Sequence, residues 1–165
     1  MSEPRKTDDS LLELAEVVLR KANFRLQYDR IVGDEPVLLV ENSDAVAAVA
    51  AFLSVRDLIE AESDVSRAVS RRVASAPASP KRWDAYVVLL TSARSAAQYS
   101  EELALLTQNL RHVRRIVRVG VDPTRAGLTR ALRPLLPLAA INESRWDEDP
   151  LGSMRRLLER DGFEA

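Results

Sequence analysis

The 165-residue chain contains no cysteine. That excludes disulfides, thiolate metal sites and cysteine nucleophiles together, and it fits a reducing cytoplasm. Histidine occurs once, at His112, so a histidine-rich metal site or a Ser-His-Asp relay would have to be built on that residue. It stands in NLRHVRR among arginines that disfavour its imidazolium form, and a surface or packing role is the expectation. Only five glycines are present and none falls in a GxGxxG or P-loop pattern, so no cofactor is expected. No apolar run reaches the roughly 18 residues of a membrane helix. MSEPRKTDDS lacks the apolar core of a signal peptide. The expectation is a cytoplasmic chain with no membrane partner. Lysine is confined to Lys6, Lys21 and Lys81, and the formal net charge is −1, so no global basic field recruits nucleic acid.

What is present is an ordinary globular composition, 46% hydrophobic and 30% charged, sufficient for one core without staples. Ser10 followed by Glu13 is a capping-box pattern, and Leu11, Leu14, Ala15, Val18 and Leu19 recur at helical spacing through Lys21. FRLQYDRIV, 24–32, alternates as a half-exposed strand does. GDEP, 33–36, and NSD, 42–44, are turn chemistry on either side of the short apolar strand VLLVE, 37–41. AVAAVAAFLS, 45–54, is alanine-rich enough for a helix. Its place between a turn and a helix start makes it a strand.

Ser54 with Asp57 opens a long helix from Val55 to about Ala74, whose inner stripe is Leu58, Ala61, Val65, Ala68 and the stem of Arg72. After the connection ASAPASPKR, the run VVLL within WDAYVVLLTSA, 83–93, reads as a strand covered on both faces. A second long helix is predicted over about Gln98 to Arg114, with Leu103, Leu106, Leu110 and Val113 inward. RIVRVGV, 115–121, alternates as a strand, and Asp122-Pro123 predicts the N-cap and first turn of a helix ending by Pro134. Asp149-Pro150 repeats that signal for a tail helix to about Arg160. The predicted class is α/β with order α-β-β-β-α-β-α-β-α, helices flanking a mixed sheet. Residues 1–9 are expected to be disordered, 10–138 to form the domain, and 139–165 to be a loop and helix serving as a docking tail.

Over about residues 10–92 the order α-β-β-β-α-β resembles the core of the restriction-endonuclease-like fold, the PD-(D/E)XK nuclease and Holliday-junction-resolvase superfamily. The resemblance implies an acidic residue near the second strand and an acid-x-lysine on the third, which together hold Mg²⁺ and orient water. Asp34-Glu35-Pro36 or Glu41 could stand at the first position. The third strand supplies AVAAVAAFLS, with no acid and no lysine. No catalytic residue and no metal ligand is therefore expected. Over about 83–138, RWDAYVVLLT, NLRHVRRIVRVGV and ALRPLLPL together look like the carboxy half of small bacterial proteins encoded beside large ATPases in conflict or defence operons. That resemblance implies a non-catalytic accessory subunit that binds an ATPase of the SMC or ABC kind.

Two features are left as contact surfaces. Arg111, Arg114, Arg115 and Arg118 would form one basic ridge on a continuous helix, although a break near Arg114 splits it. Trp146, in the acidic loop ESRWDEDP, precedes a helix bearing Leu151, Met154, Leu157 and Leu158. Arg111, Arg114, Arg115, Arg118, Trp146, Met154 and Leu158 are the candidate contacts for a protein partner, either a large ATPase or a second copy. The alternative is nucleic acid on the basic patch. Thr91, Ser92 and Ser95, after the VVLL strand, stand where α/β proteins place small ligands, but hydroxyls are also common in loops.

Overall fold

The turns organise the sheet. The computed structural model describes residues 5–75, 84–95, 97–109 and 113–136. Strand β1 (Arg25–Arg30) reverses into β2 (Pro36–Glu41) through Gly33 and Asp34, both at positive φ (95° and 66°). At Gly33 a Cβ would stand 2.6 Å from Glu35 Oε1, so glycine is needed for space as well as for φ. The next turn is an Asx turn in which Asn42 Oδ1 accepts the N–H groups of Asp44 and Ala45 at 2.9 and 2.8 Å. It delivers the chain into β3 (Val46–Phe52).

Helix α2 (Val55–Ala74) precedes β4 (Ala85–Thr91), which is parallel to β3. A 3₁₀ turn (Ala97–Tyr99) and α3 (Ser100–Gln108) precede β5 (Arg114–Arg118), parallel to β4. Helix α1 (Asp9–Lys21) comes before the sheet in sequence and α4 (Arg125–Ala131) after it. The strands lie in the order β1-β2-β3-β4-β5, the first three antiparallel and the last three parallel. The molecule is thus a mixed α/β structure whose five-stranded mixed sheet is flanked by helices.

Strand alternation sorts the side chains between two layers. Leu39, Ala48, Phe52, Leu89 and Val117 pack with Leu58, Ala61 and Val65 of α2, and Leu103 and Leu106 of α3 lie against that cluster. The alternate residues, among them Leu38, Val49 and Leu90, form the opposite face, over which the buried Leu11, Leu12, Ala15 and Leu19 of α1 lie. All seven residues of β3 are buried. Alanine is tolerated there because α1 and α2 both cover the strand, and small side chains let both approach.

Several elements differ from the sequence reading. The N-cap of α1 is Asp8, whose carboxylate accepts the Leu11 N–H at 3.1 Å. Ser10 is already helical and donates to the same carboxylate. Leu12 joins the buried stripe, while Leu14 and Val18 are only half-buried. Helix α3 ends at Gln108, well short of Arg114, with Asn109 extended at its C-cap. Val113 is buried just ahead of β5. Thr124, two residues beyond Asp122, caps α4 by accepting the Gly127 N–H at 3.1 Å. Strand β1 is more exposed than half, because it is an edge strand.

The chain divides into two units, Met1–Leu135 and Leu136–Ala165. Every helix and strand named above belongs to the first, and the tail helix expected after Asp149 lies outside the described residues. Among the described residues no helix is long and apolar enough to cross a membrane.

Candidate functional site

The three acidic positions nearest the second strand are each engaged by an arginine. Glu35 is 5% exposed, and its carboxylate receives two hydrogen bonds from Arg5, Nε to Oε1 at 2.9 Å and Nη2 to Oε2 at 2.8 Å. The same guanidinium reaches Asp64 Oδ2 on α2 at 2.9 Å and the carbonyl oxygens of Val32 and Glu60. A planar fork with five N–H donors suits such a site, and the Glu35 bond foremost raises the Arg5 pKa. Arg5 lies in the segment whose composition suggests a disordered N-terminus. It is held there because residues 6–8 bond the end of β3, with Leu53 N–H to the Lys6 carbonyl and Asp8 N–H to the Ala51 carbonyl, each 2.9 Å. Neither Arg5 nor Asp8 stands out in the sequence reading, since their partners are remote in the chain.

Glu41, at the end of β2, pairs with Arg72 of α2 at 2.9 Å. Asp34 is exposed in the turn and pairs with Arg30 at 3.1 Å. Between these acids and α2 runs β3, all aliphatic except Phe52. Among the described residues no three acidic or histidine side chains are grouped closely enough to hold a metal ion.

The arginine set is divided by strand geometry. Arg114, Arg115 and Arg118 belong to β5, so they form no helical ridge. Arg114 and Arg118 face one side of the sheet and Arg115 the other. Arg115 is 8% exposed, binds Glu62 of α2 at 2.6 Å, and donates to the Asn109 and Val113 carbonyls. It joins β5 to α2 and the end of α3, which is a structural role. Arg114 lies 5.7 Å from the Tyr86 ring centroid, donates to Tyr86 Oη at 3.2 Å, and stands 3.6 Å from Asp84. Arg118 donates to its neighbour's carbonyl, that of Val117.

Charge is concentrated beyond that set. From Val113 to Leu136 the arginines are 114, 115, 118, 125, 130 and 133, against the single acid Asp122. Among the described residues, Arg118, Arg125, Arg130 and Arg133 form no ion pair. Arg125, Arg130 and Arg133 are exposed. Arg111, His112, Trp146, Met154 and Leu158 lie outside the described residues.

Two hydroxyl groups at the end of β4 are engaged within the fold. Thr91 is fully buried and its Oγ1 accepts the Ala93 N–H at 3.1 Å, while Ser92 Oγ donates to Asp8 Oδ2 at 3.3 Å. A shallow cavity of about 160 Å³ lies elsewhere, between β1, the end of β2 and α2, lined by Arg25, Glu41 and Arg72 among others. No family model, curated protein or solved structure matches this chain.

Proposed function

We propose that the chain is a non-catalytic accessory subunit that works by docking to a partner, on a scaffold of restriction-endonuclease-like design. The antiparallel meander β1-β2-β3 followed by the parallel β4 supports that scaffold. The observation that carries the reading is β3. In the resemblance this strand bears acid-x-lysine, whereas here it is Val46–Phe52, apolar throughout and buried. Glu35 and Glu41, the acids that could stand beside it, are bound to Arg5 and Arg72.

The resemblance of residues 83–138 to accessory subunits of bacterial defence systems supplies the partner class, a large ATPase of the SMC or ABC kind. Docking is assigned to the β5–α4 arginines and the segment bearing Trp146, Met154 and Leu158. The test is reconstitution of the full-length chain with a candidate ATPase encoded beside it. Stoichiometric binding that is lost on Trp146→Ala with Leu158→Ala is expected. Unchanged binding in that variant would refute the assignment, and no binding to any such ATPase would refute the partner class.

A second reading, binding of nucleic acid, is favoured by Arg118, Arg125, Arg130 and Arg133, four arginines that form no ion pair among the described residues. It requires DNA affinity that falls steeply with salt and is lost on Arg118→Glu with Arg125→Glu. Absence of binding at low salt removes it.

A further inference from the structure

The outer edge of β1 is unpaired among the described residues, since β1 is the first strand of the sheet. The phase of its ladder is fixed by the hairpin, where the Ile31 N–H donates to the Glu35 carbonyl at 3.1 Å. Counting back from that bonded pair, Arg25, Gln27 and Asp29 turn their backbone groups toward β2. Pro36, which has no N–H, stands opposite Arg30, in keeping with this phase. Leu26 and Tyr28 therefore offer their N–H and C=O groups outward. The next outward N–H, that of Arg30, is already accepted by Asp29 Oδ1 at 2.8 Å, which closes the open stretch at that end.

The side chains of this edge are complementary to themselves under a two-fold axis. We propose that β1 pairs antiparallel with β1 of a second copy, centred on Gln27 opposite Gln27, so that two five-stranded sheets join into one. In that register Leu26 lies opposite Tyr28 and Tyr28 opposite Leu26, and the two pairs exchange four backbone hydrogen bonds. Arg25 lies opposite Asp29 at both ends, on the face of the sheet that carries α2.

Charge selects this register over its neighbours. Only registers that differ by two residues keep outward groups facing outward groups. Shifting one way sets Arg25 opposite Ile31 and Gln27 opposite Asp29. Shifting the other way sets Arg25 opposite Gln27 and Asn23 opposite Asp29. Neither shift pairs the charges. Within the monomer Arg25 has no ion pair among the described residues, and Asp29 spends one oxygen on the Arg30 N–H, leaving the other for Arg25 of the second copy. Charges on an edge ordinarily guard against strand addition. Here they admit one partner, a copy of the same strand, in a closed isologous contact. This surface lies at the opposite sheet edge from β5 and stands independently of the reading of the ATPase partner.

The test is sedimentation velocity on the full-length chain over a wide dilution series. The wild type is expected to show a concentration-dependent doubling of mass. Arg25→Asp and Asp29→Arg, both on an exposed strand, should each weaken the dimer about tenfold or more, because each sets like charges opposite one another. An equimolar mixture of the two variants should restore dimers, since both contacts then pair opposite charges. A wild type that stays monomeric throughout would overturn the proposal. So would a dimer that survives both single variants, and one lost instead on Trp146→Ala would place the contact in the C-terminal segment.

Discussion

Arg5 shows how much one side chain can bind together. It closes the β1–β2 turn against α2 through Glu35 and Asp64, and both carboxylates are largely shielded from water. Removing it leaves Glu35 buried without its counter-charge, so Arg5→Ala is expected to destabilise the fold by about 3 kcal/mol in urea titration. Arg67 pairs with the other oxygen of Asp64 but is exposed, so Arg67→Ala should cost less than about 0.5 kcal/mol in the same measurement.

Tyr28 gives a pH signature at the same scale. Partial burial of the ring, then the hydrogen bond from its hydroxyl to Glu16 at 2.6 Å, raise its pKa from 10.0 to about 12. Both favour the neutral phenol, so its contribution to stability is fully present below pH 10 and is lost as pH rises through about 12. Ultraviolet titration should find Tyr28 ionising late, and Glu16→Gln should bring it back toward the ordinary value.

Elements were legible where local chemistry decides them. The Ser54–Asp57 signal marks the start of α2, and its apolar stripe from Leu58 to Ala68 is the buried one. Strand β3 was legible through the turns around it, because its alanines alone favour a helix. Asp8 was hidden by the better-known pattern at Ser10, and the engagement of Arg5 depends on partners 30 and 59 residues away, which no local spacing records. Of the arginines near β5, Arg115 and Arg118 were legible as strand residues, whereas Arg114 was expected at the end of a helix that stops at Gln108, because the i, i+3, i+4 spacing of 111, 114, 115 and 118 suits a helix as well as a strand. Burial of Arg115 against Glu62 shows which period applies.

At the level of elements, β3 is apolar and buried along its whole length. Ala50→Lys, which puts lysine on this fully buried strand, should abolish cooperative unfolding or lower stability by several kcal/mol, measured by circular dichroism on heating. In α4, Gly127→Ala improves helix propensity by about 1 kcal/mol. Its Cβ would nevertheless stand 2.2 Å from the Asp122 carbonyl oxygen. The clash should win, with a net loss of about 1–3 kcal/mol in urea titration.

For the whole molecule, a nearly neutral total hides an uneven distribution. The β5–α4 segment is arginine-rich with a single acid, while the last part of the chain carries the acidic run WDED. The two sheet edges consequently have different character: β1 self-complementary, β5 cationic. The accessory role we propose would have this domain act by what it holds rather than by what it cleaves. That claim is tested most directly by incubating the purified full-length chain with plasmid and branched DNA in Mg²⁺ or Mn²⁺, beside Asp34→Asn and Glu41→Gln variants. No cleavage above the level of those variants is expected. Metal-dependent cleavage that disappears on Glu41→Gln would contradict the proposed accessory role.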